Sequence, residues 1–299
     1  MSAYVYAAVF AMVLWWFSTG IIMFLDNLPR RTFRWSMTGA TVLMVVALFV
    51  LGATVNESSV QGAYLGFAAA LLVWGWLEIS FYMGYVTGPR RHACEPGCRG
   101  WRHFGHAIQV SLHHELAILL LGGLIVYLSW GAENQIGLWT FLVLALMHES
   151  ARLNVFFGVR NLSAEFVPEH MAYLKSFLVS RPMNLFFPIS ITVSTTVLAL
   201  LIASIPAVSV DPHQAIGLTL VSTMLALAVL EHWFLVLPIP AERLWHWSLK
   251  SRNIQSAVEG KQRGSGLTTH EIGMCTRRGG NDCLTTATSL RSAGLRDLR

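Results

Sequence analysis

A set of ionisable side chains lies inside apolar stretches of this chain: Glu78, then His113, His114 and Glu115 in succession, then His148, Glu149 and Arg152, then Glu231 and His232. Placing such a group at the centre of a membrane helix costs roughly 2.5–3.5 kcal/mol on insertion scales, so each needs a partner or a task. Carboxylates and imidazoles are the donors of first-row transition metals. Glutamates and histidines drawn from several helices are also the raw material of a di-iron carboxylate site. Glu78, His114, Glu115, Glu231 and His232 are therefore the candidate metal ligands. The Glu-x-x-His pair of such sites is missing from these helices. Glu and His are adjacent here or in reversed order, so the ingredients match better than the spacing does. Glu149 and Arg152 stand an i,i+3 step apart and read as an internal ion pair.

The elements that must position these groups are membrane spans. Hydrophobic residues make up 54% of the chain and charged residues 12%; mean hydropathy is +0.53. The apolar residues fall in blocks of the length needed to cross about 30 Å of hydrocarbon. Seven blocks are expected, near residues 3–25, 36–55, 60–86, 105–130, 136–158, 183–207 and 213–237. The chain reads as an all-α polytopic membrane protein with a seven-helix domain over residues 1–240 and a basic, disordered tail over 241–299. The first block lacks a basic n-region and a small-residue cleavage site, so it reads as a retained helix.

Every Lys and Arg outside the fifth block falls in the connections after blocks one, three, five and seven. Glu57, Glu133 and Asp211 mark the opposite connections. The positive-inside rule then puts the N-terminus outside and the C-terminus in the cytoplasm. The net charge of +5 reads as topology and attraction to anionic lipid headgroups, with no nucleic-acid partner.

Within the third block, Trp74, Glu78, Tyr82 and Tyr85 share one helical face. In the fourth, Arg102, His106, Gln109 and His113 form a polar track, while His114 and Glu115 are turned from His113 by about 100° and 200°. The three consecutive residues cannot all address one centre. At 1.5 Å per residue, Glu78, His114, His148 and Glu231 lie about 12, 13, 15 and 10 Å from the arginine-rich ends of their spans. They share one layer of the membrane. In the arginine-rich connection before the fourth block, His92, Cys94, Cys98 and His103 are types able to close a zinc site. The Cys-x3-Cys spacing is permissive, and a basic, turn-rich loop is the plainer reading. Cys275 and Cys283 in the tail read as free thiols.

Several segments together carry a family resemblance: WWFSTG at 15–20, LPRRTFRWSM at 28–37, WGWLE at 74–78, TGPRR at 87–91, HELAI at 114–118, LNVFFGVRN at 153–161, RPMN at 181–184 and LEHWFLVLP at 230–238. Over residues 1 to about 247 the chain resembles the PuhE family, photosynthetic complex assembly proteins of purple and related aerobic phototrophic bacteria. The resemblance implies a bacterial inner-membrane factor acting in the production of reaction-centre and light-harvesting complexes. Its implied partners are the subunits of those complexes and pigment-synthesis or other assembly factors. Bacteriochlorophyll or a precursor is the implied ligand, with His113, His114 and His232 as imidazoles able to ligate it. No catalytic residue carries over. The alternative function is that of a membrane metal-dependent, di-iron-like oxidoreductase in pigment synthesis, with iron as its cofactor.

Overall fold

The computed structural model describes residues 2–95, 97–162, 167–237 and 244–245. The expected tail therefore lies outside the described residues, apart from Leu244 and Trp245, and so do Cys275 and Cys283. Seven α-helices form: α1 (Ser2–Asp26), α2 (Phe33–Thr54), α3 (Val60–Tyr82), α4 (Gly100–Leu128), α5 (Ile136–Phe157), α6 (Phe186–Ser204) and α7 (Pro212–Phe234). All seven helices are long and apolar enough to cross a membrane. Among the described residues there is no strand beyond one isolated bridge between Val159 and Ser180.

Helices α3 and α7 occupy the centre. Of their most apolar windows, 50% and 67% is buried inside the protein, against 6% for α6 and 11% for α1. Helix α3 packs on α1, α2, α5 and α7, and α7 packs on α1, α3, α5 and α6. Close approach depends on small residues, as is usual between helices in lipid. A Cβ on Gly137 of α5 would stand 3.0 Å from the Gly66 carbonyl oxygen of α3. The outward faces carry side chains such as Tyr6, Phe49, Leu120 and Leu200, which suit hydrocarbon.

Helix ends are fixed by side chains that satisfy the terminal backbone groups. Ser59 caps α3 by accepting from Gly62 N at 3.0 Å, and Asp211 caps α7 by accepting from His213 N at 2.9 Å. At the arginine-rich face, Asn184 holds two helices at once. Its Nδ2 donates to the Asn154 and Gly158 carbonyls at the end of α5, each at 3.0 Å. Its Oδ1 accepts from the Phe186 and Phe187 amides that begin α6. At the opposite face, Asn134 Nδ2 donates to Thr54 O of α2 and Gly62 O of α3, and its Oδ1 accepts from Ile136 N of α5.

Two expected boundaries shift. Helix α3 stops at Tyr82 and does not run to residue 86, because Gly84 turns the chain at φ +81°. His170 Nε2 then donates to the Tyr82 carbonyl at 2.9 Å. Tyr85 thereby leaves the face it was expected to share with Glu78 and is half exposed. Helix α4 begins at Gly100, earlier than residue 105. Because Asn184 is buried and serves groups on both sides, Asn184→Ala is expected to destabilise the protein by about 1–3 kcal/mol, read as a lower midpoint of thermal unfolding in mild detergent.

Candidate metal centre

Three of the intramembrane groups converge where α3, α4 and α5 meet. One oxygen of Glu78 and one ring nitrogen each of His114 and His148 lie within 4.8 Å of one another. His148 Nδ1 is 3.4 Å from Glu78 Oε1. The two imidazole centroids are 5.6 Å apart. Each ring is held by an aromatic neighbour: Trp74 lies edge-on to His148 at 5.3 Å, and Phe81 is tilted against His114 at 4.7 Å.

His114 is 1% exposed. Both its ring nitrogens and Nε2 of His148 are buried with no hydrogen-bond partner among the described residues. Buried polar atoms are normally paired, so these demand an explanation. Two imidazoles and a carboxylate are the donor set of mononuclear non-heme iron(II) sites, which keep further coordination positions open.

Local folding fixes His114 in place. The chain after α3 runs back against the backbone of α4, where His114 N donates to Thr87 O at 3.0 Å and Arg90 N to Gln109 O at 3.3 Å. A Cβ on Gly88 would lie 2.0 Å from the Gln109 carbonyl oxygen. Only glycine permits that approach.

Next to the cluster, Arg152 of α5 gathers the other charges. Its Nη1 pairs with Glu115 and, at 3.2 Å, with Glu149; its Nη2 donates to Ser111 Oγ at 2.6 Å. The expected Glu149–Arg152 pair is present and enlarged by Glu115. Arg152 is thus held by two carboxylates and a hydroxyl.

The remaining candidates stand elsewhere. His113 is on the exposed face of α4, because the helix buries Val110, His114, Ile118 and Ile125. Gln109 and Arg102 share that outward face, so the expected polar track does not lead inward. His232 is buried, but its Nδ1 donates to the Ala228 carbonyl and its Nε2 accepts from Ser150 Oγ, each at 2.9 Å. It has no free nitrogen for a ligand. Glu231 accepts from Trp15 Nε1 at 3.2 Å. The five residues expected to bind metal are thus divided: Glu78 and His114 join the cluster, Glu115 goes to Arg152, and Glu231 and His232 have protein partners. His148, which was not among those five, supplies the third donor.

Two cavities flank the cluster. One of about 290 Å³ is lined by Trp15, Asp26, Glu78, Tyr82, Glu231 and His232, among others. The second, of about 560 Å³, is walled by Phe81, Phe104, Phe156 and Leu174 and ends at His114 and Arg152. His148 lines both. The larger is within the range of small-molecule sites and has their character, apolar walls with a few convergent polar groups.

Residues 1–256 match the family described as "Protein of unknown function (DUF3623)". The chain belongs to that family. It is 37% identical over 241 residues to the "Uncharacterized 30.4 kDa protein in puhA 5'region" of Rhodobacter capsulatus, covering 79% of this chain and 88% of that relative. No solved structure matches the chain. The family match takes in every residue of the cluster, of the Arg152 network and of both cavities.

Removing the guanidinium would leave two facing carboxylates without their cation, so Arg152→Ala is expected to cost about 3–5 kcal/mol. Neutralising both acids in the same chain, with Glu115→Gln and Glu149→Gln, is expected to restore much of the loss. Unfolding midpoints of the two variants in one detergent check this.

Proposed function

We propose that this chain is an inner-membrane factor in the production of photosynthetic reaction-centre and light-harvesting complexes, and that it works through a metal ion held by Glu78, His114 and His148. The observation that carries the metal reading is the convergence of three donor atoms, together with a buried His114 whose two ring nitrogens have no protein partner among the described residues. Iron(II) is the first candidate because the donor set is two imidazoles and one carboxylate. The photosynthetic context rests on the resemblance of the sequence segments and on the printed name of the Rhodobacter capsulatus relative, which places that protein in the puhA 5' region.

The chemistry asked of this chain's own residues is limited and concrete. Glu78, His114 and His148 bind the ion; Trp74 and Phe81 fix the two rings. Arg152, His114 and His148 are polar groups among the lining of the larger cavity. The apolar walls of that cavity favour a lipophilic molecule. A pigment precursor has that character. This reading is mononuclear: Glu115 and Glu231 are engaged by Arg152 and Trp15 and do not complete a two-metal carboxylate site.

A second reading, pigment handling without a resident ion, is favoured by the same unpartnered imidazole of His114, since one imidazole suffices to ligate the magnesium of a bacteriochlorophyll. One preparation separates the two. Protein purified in mild detergent from a pigment-making host is expected to carry about one iron per chain, lost in His114→Ala and in His148→Ala and kept in His113→Ala. Tetrapyrrole absorbance without iron would replace the first reading with the second. Protein that carries neither would contradict both.

A further inference from the structure

A second group of metal-ligating side chains sits outside the spans' interior, at the arginine-rich face. The connection from α3 to α4 brings Cys94 and Cys98 against the first turns of α4. Cys94 Sγ is 3.3 Å from His103 Nδ1 and 3.4 Å from His106 Nδ1; Cys98 Sγ is 3.5 Å from His106 Nδ1. The donor atoms of Cys94, Cys98 and His106 all lie within 4.8 Å of one another. For zinc bonded tetrahedrally to thiolate sulfur at about 2.3 Å and imidazole nitrogen at about 2.05 Å, the sulfur–nitrogen edge is about 3.5 Å. The observed separations fit that edge.

The local sequence accounts for the arrangement. His103 and His106 are an i,i+3 pair, so both rings leave one side of α4. Gly97, at φ +83°, turns the chain between the two cysteines and brings both thiols to that side. Arg90, Arg91, Arg99 and Arg102 surround the group in sequence. His92 is exposed, so the set expected from spacing is altered: His106, one helical turn further on, takes its place.

We infer that Cys94, Cys98 and His106 bind a structural zinc ion that clasps the α3–α4 connection to the start of α4, with His103 in contact with Cys94 beside it. The consequence reaches further than the loop. The His103 ring is stacked between Phe156 of α5 and Phe177 of the 3-10 segment Glu169–Phe177, at 5.6 and 5.4 Å. Ser176 Oγ of that segment accepts from Cys94 N at 3.0 Å. Phe104, Phe156 and Phe177 line the larger cavity. A zinc clasp would therefore hold together three segments that wall the cavity at its arginine-rich end, and would do so whatever the ion or ligand deeper in the membrane.

The test uses the full chain purified in detergent with thiols kept reduced and zinc supplied. It is expected to carry about one zinc per chain, lost in Cys94→Ser/Cys98→Ser and in His106→Ala, and kept in His92→Ala. Because a variant that misfolds would also lose metal, the unaltered chain is stripped of zinc and given cobalt(II). Intense near-ultraviolet thiolate-to-cobalt bands, abolished by adding zinc and unchanged in His148→Ala, are the expected result. Cobalt spectra without thiolate bands, or the same thiolate-to-cobalt bands in the double cysteine variant, would overturn the inference and leave a metal-free thiol–imidazole contact. Failure here leaves the intramembrane centre untouched, since His114 and His148 supply no sulfur.

Discussion

Water is absent from the hydrocarbon core, and a polar group there without a protein partner loses several kcal/mol. Much of this fold can be read as the search for such partners. Asn134 serves the ends or starts of three helices and Asn184 those of two, on opposite faces of the bundle. Arg152 is held by two carboxylates and a hydroxyl. His232 uses one nitrogen on a carbonyl of its own helix and the other on Ser150. Against that pattern the unpartnered nitrogens of His114 and His148 are an exception, and the exception sits beside a carboxylate and opens onto two cavities. A bound cation would give one nitrogen of each ring a partner without adding another protein group.

The number and approximate bounds of the spans were legible because hydropathy averaged over about 20 residues is insensitive to detail. Rotation about a helix axis was not. The first half of helix α4 carries polar residues on several sides, so no single stripe distinguishes His113 from His114 as the inward imidazole. Packing decides it, through the Gly88 approach that sets the register of His114. His148 shows the same limit from another side. It stands four residues before Arg152 and so on the same face of α5, yet Arg152 pairs with Glu115 on a neighbouring helix, a choice that depends on which helices adjoin.

The two asparagine staples were invisible for a related reason. Each serves backbone groups distant in sequence, such as Thr54 O for Asn134, 80 residues away. The cysteine pair was visible, and its partner was not: His92 and His106 are both near in sequence, and only the turn at Gly97 and the start of α4 at Gly100 favour the second.

On the proposed reading, the centre, the paired arginine and the aromatic cavity form one site for an ion and a lipophilic molecule. The most direct test is K-edge X-ray absorption of the metal bound to protein carrying Cys94→Ser and Cys98→Ser, which removes sulfur donors from the other site. The account predicts a first shell of nitrogen and oxygen only, with the multiple-scattering signature of two imidazoles, lost on His148→Ala. A protein that binds no transition metal, or one whose first shell is unchanged when His148 is replaced, would contradict it.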